Sequence, residues 1–326
     1  MPMLRFAMFA LSTALSIASG AAAAQTWPSK AIRIIVPFPP GNASDVAARA
    51  LADRLAQRLG QSVIVENRAG AQGAIGVEAV AKAPPDGHTL LITSLSPLVI
   101  TPHVSKNLPY DPLRDLSPVA RIGWTSMILV AAPSFPANSV QELIAYGRAN
   151  PGKLSYASLG AGTISMLTME VFKQATGLDI LHVPYKGSAQ AVTDLIGGQV
   201  PLMFDGMTSS YGHVKNGKLK ALATSATKRS VLAPEIPTLA ESGMTGLKDI
   251  GVEGWTGMLA PAGTPAAIIE RLNAEVNLIL EQADFKTRAN GQNLDVYAPT
   301  SAAQFGTFMR NEHAHWGAAA RPLKLD

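Results

Sequence analysis

Five consecutive residues, Gly41-Asn42-Ala43-Ser44-Asp45, have the composition and placement of an anion-binding turn. They follow an apolar run at 32–36 and the segment Pro37-Phe38-Pro39-Pro40. They precede Ala47, Leu51, Leu55 and Leu59, apolar residues at every fourth position, and Gly60 then supplies a stop. A loop between a strand and a helix start exposes unpaired backbone N–H groups at the positive end of the helix dipole. Such a site holds an anion without arginine or lysine. The same residues also fit an ordinary strand-to-helix turn in which Asn42 or Ser44 caps the helix. Asp45 reads as a first-turn charge favourable to the dipole, or as a partner for an amino or hydroxyl group on a ligand.

A second loop has the same character. Ser158, Gly160, Gly162 and Thr163 follow a strand at 154–157 and open a helix through Leu167, Val171 and Phe172 that stops at Gly177. Their hydroxyls and amides suit the second anionic end of a dicarboxylate, and suit equally a simple helix cap. Two such loops facing across a cleft would grip both ends of one ligand. Tyr185, Lys186 and Gly187 follow a strand at 180–183, where Lys186 is either a fixed positive charge beside the cleft or a solvated lysine. Asp205 ends the strand at 202–204 and is a candidate for the cleft or for a hinge. Ser94 and Ser96 stand at the carboxyl end of a strand at 89–93, where open α/β sheets bind ligands.

The elements that must position these residues alternate between β-rich and helical runs. Strands are expected at 32–36, 62–66, 89–93, 119–123, 127–131, 154–157, 180–183, 202–204, 221–224, 257–260 and 294–297. This order implies an α/β architecture with largely parallel sheets. Ser139-Val140-Gln141-Glu142 is a capping box in which Ser139 accepts from a first-turn N–H and Glu142 reaches back. Pro265 opens what reads as the longest helix, and the last helix is expected over 302–318.

Composition narrows the function. Arg5 is the only charge before the uncharged run 6–17, and Ala22-Ala23-Ala24 precedes Gln25. That is an export signal with a cleavage site, residues 1–24, and its apolar run is short of the ~20 residues of a membrane span. Its removal takes 27 basic residues to 26 against 23 acidic ones, so the net charge falls from +4 to +3. The absence of Cys excludes disulfides, thiolate metal sites and a lipid-modified Cys anchor, and suits a bacterial periplasm. Basic residues form no stripe with aromatics, so nucleic acid is not expected. There is no G-x-S-x-G elbow for an exported ester hydrolase, the main rival reading, and no Walker A. Gly160-Ala161-Gly162 lacks the third glycine of a dinucleotide fingerprint. His313 and His315 are two apart, about 200° around a helix, so they do not share a metal ion.

Short segments along the chain occur in a telling order. Trp27-Pro28-Ser29-Lys30 leads to Ile34-Ile35-Val36-Pro37-Phe38-Pro39-Pro40-Gly41. Then come Val65-Glu66-Asn67-Arg68-Ala69-Gly70-Ala71-Gln72-Gly73, Pro85-Asp86-Gly87-His88-Thr89-Leu90-Leu91 and Leu108-Pro109-Tyr110-Asp111-Pro112. Tyr156-Ala157-Ser158-Leu159-Gly160-Ala161-Gly162-Thr163, His182-Val183-Pro184-Tyr185-Lys186-Gly187-Ser188, Met203-Phe204-Asp205 and Ala260-Pro261-Ala262-Gly263-Thr264-Pro265 complete the set. Together they resemble the Bug-type periplasmic receptors of tripartite tricarboxylate transporters, over nearly all of the chain from Trp27 to Trp316.

The resemblance implies a two-lobe, type II-like periplasmic binding protein with the ligand in the cleft. Lobe one would be 27–126 plus 254–326 and lobe two 127–253, with hinge crossings near 124–127 and 254–257. It implies a monomeric receptor, not an enzyme, with no cofactor and no metal. The receptor would deliver a di- or tricarboxylate, an acidic amino acid or an aromatic acid to integral-membrane transporter subunits. The implied ligand-binding set is Phe38, Gly41, Asn42, Ser44, Asp45, Ser94, Ser158, Gly160, Gly162, Thr163, Met166, Tyr185, Lys186, Gly187 and Asp205. The family commonly has Gly at the position of Asn42 and often His at that of Met166. Asn42 adds a donor and bulk, and Met166 leans the expectation towards a ligand with an apolar or aromatic portion.

Overall fold

A nearly continuous apolar run is what a strand covered on both faces requires, and Ile32–Val36 (β1) is such a strand, buried at every position but Arg33. Ile32, Ile34 and Val36 enter one core and Ile35 another. The structure, a computed structural model, describes residues 27–230, 232–247 and 252–320. The expected export signal lies outside the described residues.

The chain continues through α1 (Ala43–Leu59), β2 (Val63–Asn67), α2 (Ala74–Ala81), β3 (Thr89–Ser94), α3 (Thr101–Val104) and β4 (Leu116–Ala131). Next come α4 (Val140–Ala149), β5 (Leu154–Ser158), α5 (Ile164–Thr176), β6 (Ile180–Pro184), α6 (Ser188–Ile196), β7 (Leu202–Gly206), α7 (Met207–Lys215) and β8 (Lys220–Thr224). It returns through β9 (Glu253–Pro261), α8 (Ala266–Leu280), α9 (Ala283–Asn290), β10 (Asp295–Val296) and α10 (Ala302–Ala320).

The strand order is β2-β1-β3-β9-β4-β7-β5-β6, with β8 and β10 also paired to β4. The flanks β2-β1-β3 and β7-β5-β6 are parallel. The centre departs from the largely parallel expectation: β4 is antiparallel to β9, β7 and β8, and β9 to β3. The reason is the path of the chain. β4 carries it from one half to the other and β9 brings it back, so the two lie side by side in opposite directions. β4 is also one strand of 16 residues where two were expected. It absorbs register shifts around Val119 and Ile122, then exchanges its partner β9 at Ser126 for β7 at Met127.

Helix ends obey local chemistry. Asn42 caps α1 by accepting from the Asp45 amide, and Gly60 ends that helix at φ +68°. Thr163 caps α5, and Gly177 ends it. At α4, Ser139 accepts from the Glu142 amide, but Glu142 reaches back one residue further than expected, to the Asn138 amide at 2.7 Å. Pro265 precedes α8 as read, yet among the described residues α10 is the longest helix, 19 residues against 15.

Helices α1, α8 and α9 bury Leu51, Leu55, Leu272, Val276, Ile279 and Phe285 on one face of the first half. On the other face the core is continuous across both halves. It runs from Ile35, Val77 and Leu91 through Leu95 and Leu98 to Leu167, Phe172 and Phe204. Glu312 on α10 serves this packing, accepting from the indole N–H groups of Trp255 at 2.9 Å and Trp316 at 3.1 Å. Among the described residues no helix is long and apolar enough to cross a membrane.

Candidate functional site

The carboxyl ends of the parallel strands in both flanks converge on a cavity of about 1140 Å³. This is where the switch points of open α/β sheets bind ligands. Residues 37–44, 69–73, Ser94 and Ser96 line it from one half. Gly160, Thr163, Ile164 and the starts of α6 and α7 line it from the other.

The α1 end is braced from behind. Gly41 takes φ +92°, a backbone region that glycine reaches without strain. Its amide donates to Asp45 Oδ2 at 3.0 Å, and the Asp45 amide donates to Asn42 Oδ1 at 2.9 Å. Asp45 Oδ1 accepts from Arg49 Nε at 3.0 Å and Asn67 Nδ2 at 2.9 Å, and the same Asn67 amide nitrogen reaches the Phe38 carbonyl. Burial pushes the Asp45 carboxyl up, but Arg49, the Gly41 amide and Asn67 outweigh it, and it sits below its ordinary value. The Ala43 and Ser44 amides, at the first two helical positions, have no acceptor within the helix. Beside them the Ser44 hydroxyl, on a residue 1% exposed, has no partner among the described residues. Asn42, Ala43 and Ser44 all line the cavity.

The α5 end differs, because its polar groups are already committed. Ser158 Oγ meets His182 Nε2 at 2.5 Å and accepts the Gly160 amide at 3.0 Å. Thr163 Oγ1 donates to the Gly160 carbonyl at 2.7 Å and accepts from the Met166 amide. The Ile164 amide donates across the halves to Ser96 Oγ at 3.0 Å, and Thr101 Oγ1 donates to the Gly162 carbonyl at 3.2 Å. A helix end satisfied by protein hydroxyls has little left for an anion.

The starts of α6 and α7 carry no side-chain cap. Asp205, 1% exposed, accepts at Oδ2 from Ser188 Oγ at 2.5 Å and Ser210 Oγ at 2.6 Å. Burial pushes its carboxyl up, against the pull of Ser188, Ser210, the Gly206 amide and His213. Tyr185 OH donates to Asp194 at 2.9 Å, and Lys186 lies exposed at the cavity wall.

Of the residues expected at the site, Phe38, Gly41, Asn42, Ser44, Ser94, Gly160, Thr163, Tyr185, Lys186, Gly187 and Asp205 come together around this cavity. Asp45, Ser158, Gly162 and Met166 stand behind its wall. Asp45 and Ser158 are consumed by the loops they brace. Gly162 turns towards Thr101 and Val104. Met166 packs within the shared core and does not line the cavity, so the lean towards an apolar ligand finds no support in the lining.

A profile described as "Tripartite tricarboxylate transporter family receptor" matches residues 47–325. The chain belongs to this receptor family. It is similar to the solved "periplasmic binding protein BugD" at 32% identity and TM-score 0.86, covering 92% of this chain and 99% of that one. Rhodopseudomonas palustris Rpa4515 with adipate superposes with TM-score 0.87 at 32% identity, over 91% of this chain and 98% of that one. MatC of the same organism, with bound malate, gives 0.84 at 31% identity, over 90% and 100%. The two-lobe α/β architecture of these receptors is the architecture described above.

Some cavity residues of this receptor escaped the sequence reading. Gln72 takes φ +51° and packs its side chain against Gly160 across the cleft. Ser188, Thr208, Ser209 and His213 also line the wall. The signal was available for Ser188, Thr208 and Ser209. Gly187-Ser188 and Gly206-Met207-Thr208-Ser209 each follow an apolar strand and open a helix, the pattern that singled out Gly41.

Proposed function

We propose that this receptor captures a small carboxylate in the cavity, returns it unchanged and delivers it to integral-membrane transporter subunits. The observation that carries the reading is the α1 end: two first-turn amides without an intrahelical acceptor, beside a buried hydroxyl that has no partner among the described residues. A carboxylate placed there satisfies all three groups with charge-assisted hydrogen bonds. The adipate and malate held by two relatives are small carboxylates. The reading includes export to the periplasm with cleavage before Gln25, and a monomeric mature chain. Lobe one is assigned to 27–126 plus 254–326 and lobe two to 127–253, supported by the exchange of β4 partners at Ser126 and Met127.

An ester hydrolase gains nothing from the Ser158–His182 contact. Ser158 is fully buried, and its oxygen already accepts the Gly160 amide. The test is a thermal-shift screen of refolded, dialysed protein against succinate, malate, adipate, citrate, glutamate and benzoate, each paired with its amide. Ligand at ~100 times its Kd adds about 2.7 kcal/mol, or several degrees. A shift with an acid and none with its amide supports the reading, and turnover of the ligand, or no shift with any acid, contradicts it.

A further inference from the structure

A hydroxyl has one proton and two lone pairs. Ser188, at the first position of α6, donates its proton to the buried Asp205 at 2.5 Å. The same carboxylate oxygen is held from the other side by Ser210 Oγ at 2.6 Å. Ser188 and Asp205 both line the cavity, so the Ser188 oxygen presents it with lone pairs only. The first-turn residues of α6, Ser188 to Gln190, border the same cavity, and their amides have no acceptor within the helix. This corner therefore offers a donor and an acceptor side by side, over a fixed carboxylate.

The three polar groups a small acid can carry fare differently here. A second carboxylate accepts from the amides but faces the Ser188 lone pairs and the charge of Asp205. An ammonium group finds the acceptor but wastes the amides. A hydroxyl accepts from an α6 amide and donates to Ser188, matching both. The corner adjoins the α1 loop: a Cβ at Gly187 would lie 3.1 Å from Pro39 Cγ. The two sites therefore lie on adjoining walls of one cavity.

We infer that Ser188, held by Asp205, is a specificity-determining residue that selects carboxylic acids bearing a hydroxyl group. The inference rests on the carboxylate reading of the α1 end. Each group has its own partner: the carboxylate goes to Ala43 and Ser44, and the hydroxyl to Ser188 and an α6 amide.

The experiment is calorimetric titration of refolded, dialysed protein with three matched pairs: lactate and propionate, malate and succinate, 2-hydroxyadipate and adipate. In at least one pair the hydroxy acid binds about tenfold or more tightly than its deoxy partner, the size of one well-made hydrogen bond. Ser188→Ala brings that ratio close to one, and Ser188→Thr, which keeps the hydroxyl, retains it. Circular dichroism confirms that both variants are folded. Equal affinities within every pair that binds, or a ratio that survives in Ser188→Ala, overturn this inference and leave the carboxylate reading standing. Binding of none of the six acids overturns both.

Discussion

At the scale of single residues, the site is built on Gly41 and Asp45. A Cβ at Gly41 would meet open space, so the cost of Gly41→Ala is backbone strain alone at φ +92°. That substitution should lower stability by about 1–2 kcal/mol and weaken carboxylate binding, as read by urea unfolding and titration. Asp45 tests the brace. Its carboxyl lies below its ordinary value of 3.8, so its stabilising contribution is present above that pH and lost as pH falls through the lower folded value. Asp45→Asn should cost roughly 1–2 kcal/mol at neutral pH and flatten that acid limb in urea unfolding between pH 2 and 6. An unchanged limb would show that Asp45 does not hold the loop. Much of this was legible in the chain, because the cap of α1 and the turn before it are local and Asn42, Ser44 and Gly41 announce them. The commitment of the α5 end was not. Thr163 turns back on the Gly160 carbonyl within its own loop, but the Ser158 hydroxyl is taken up by His182 and the Ile164 amide by Ser96, groups brought to the loop only by tertiary folding.

Elements set these residues in place through close backbone approaches. A Cβ at Gly76 on α2 would fall 2.7 Å from Pro37 Cα and 2.8 Å from the Arg68 carbonyl. α2 is thereby seated on the loops that lead to Gly41 and to Gln72. Gly76→Ala should push it away at about 1–3 kcal/mol and reduce ligand affinity as well, although Gly76 does not line the cavity. Loss of stability with full affinity would separate α2 from the site. The strands and their ends were readable, since apolar runs and glycine stops are written locally. The antiparallel centre was not readable, because β4 and β9 are far apart in sequence and their pairing follows from a path that periodicity does not encode. The same distance hid the continuity of β4: Gly123 to Ser126 reads as a break, while the structure uses it as the passage between β9 and β7.

The whole molecule consists of two lobes that share strand β4, and the proposed ligand lies between helix ends. A ligand shifts the lobes only by its preference for one arrangement. A carboxylate that bridges α1 and α6 prefers the closed one, so small-angle scattering should show a smaller radius of gyration with ligand than after its removal. The measurement that bears most directly on the central claim is a crystal structure with a carboxylate selected by the thermal-shift screen. The account predicts its carboxylate oxygens within hydrogen-bond distance of the Ala43 and Ser44 amides and of Ser44 Oγ. A carboxylate seated instead on Gly160 to Thr163 at the start of α5, or lying outside the cavity, would contradict it.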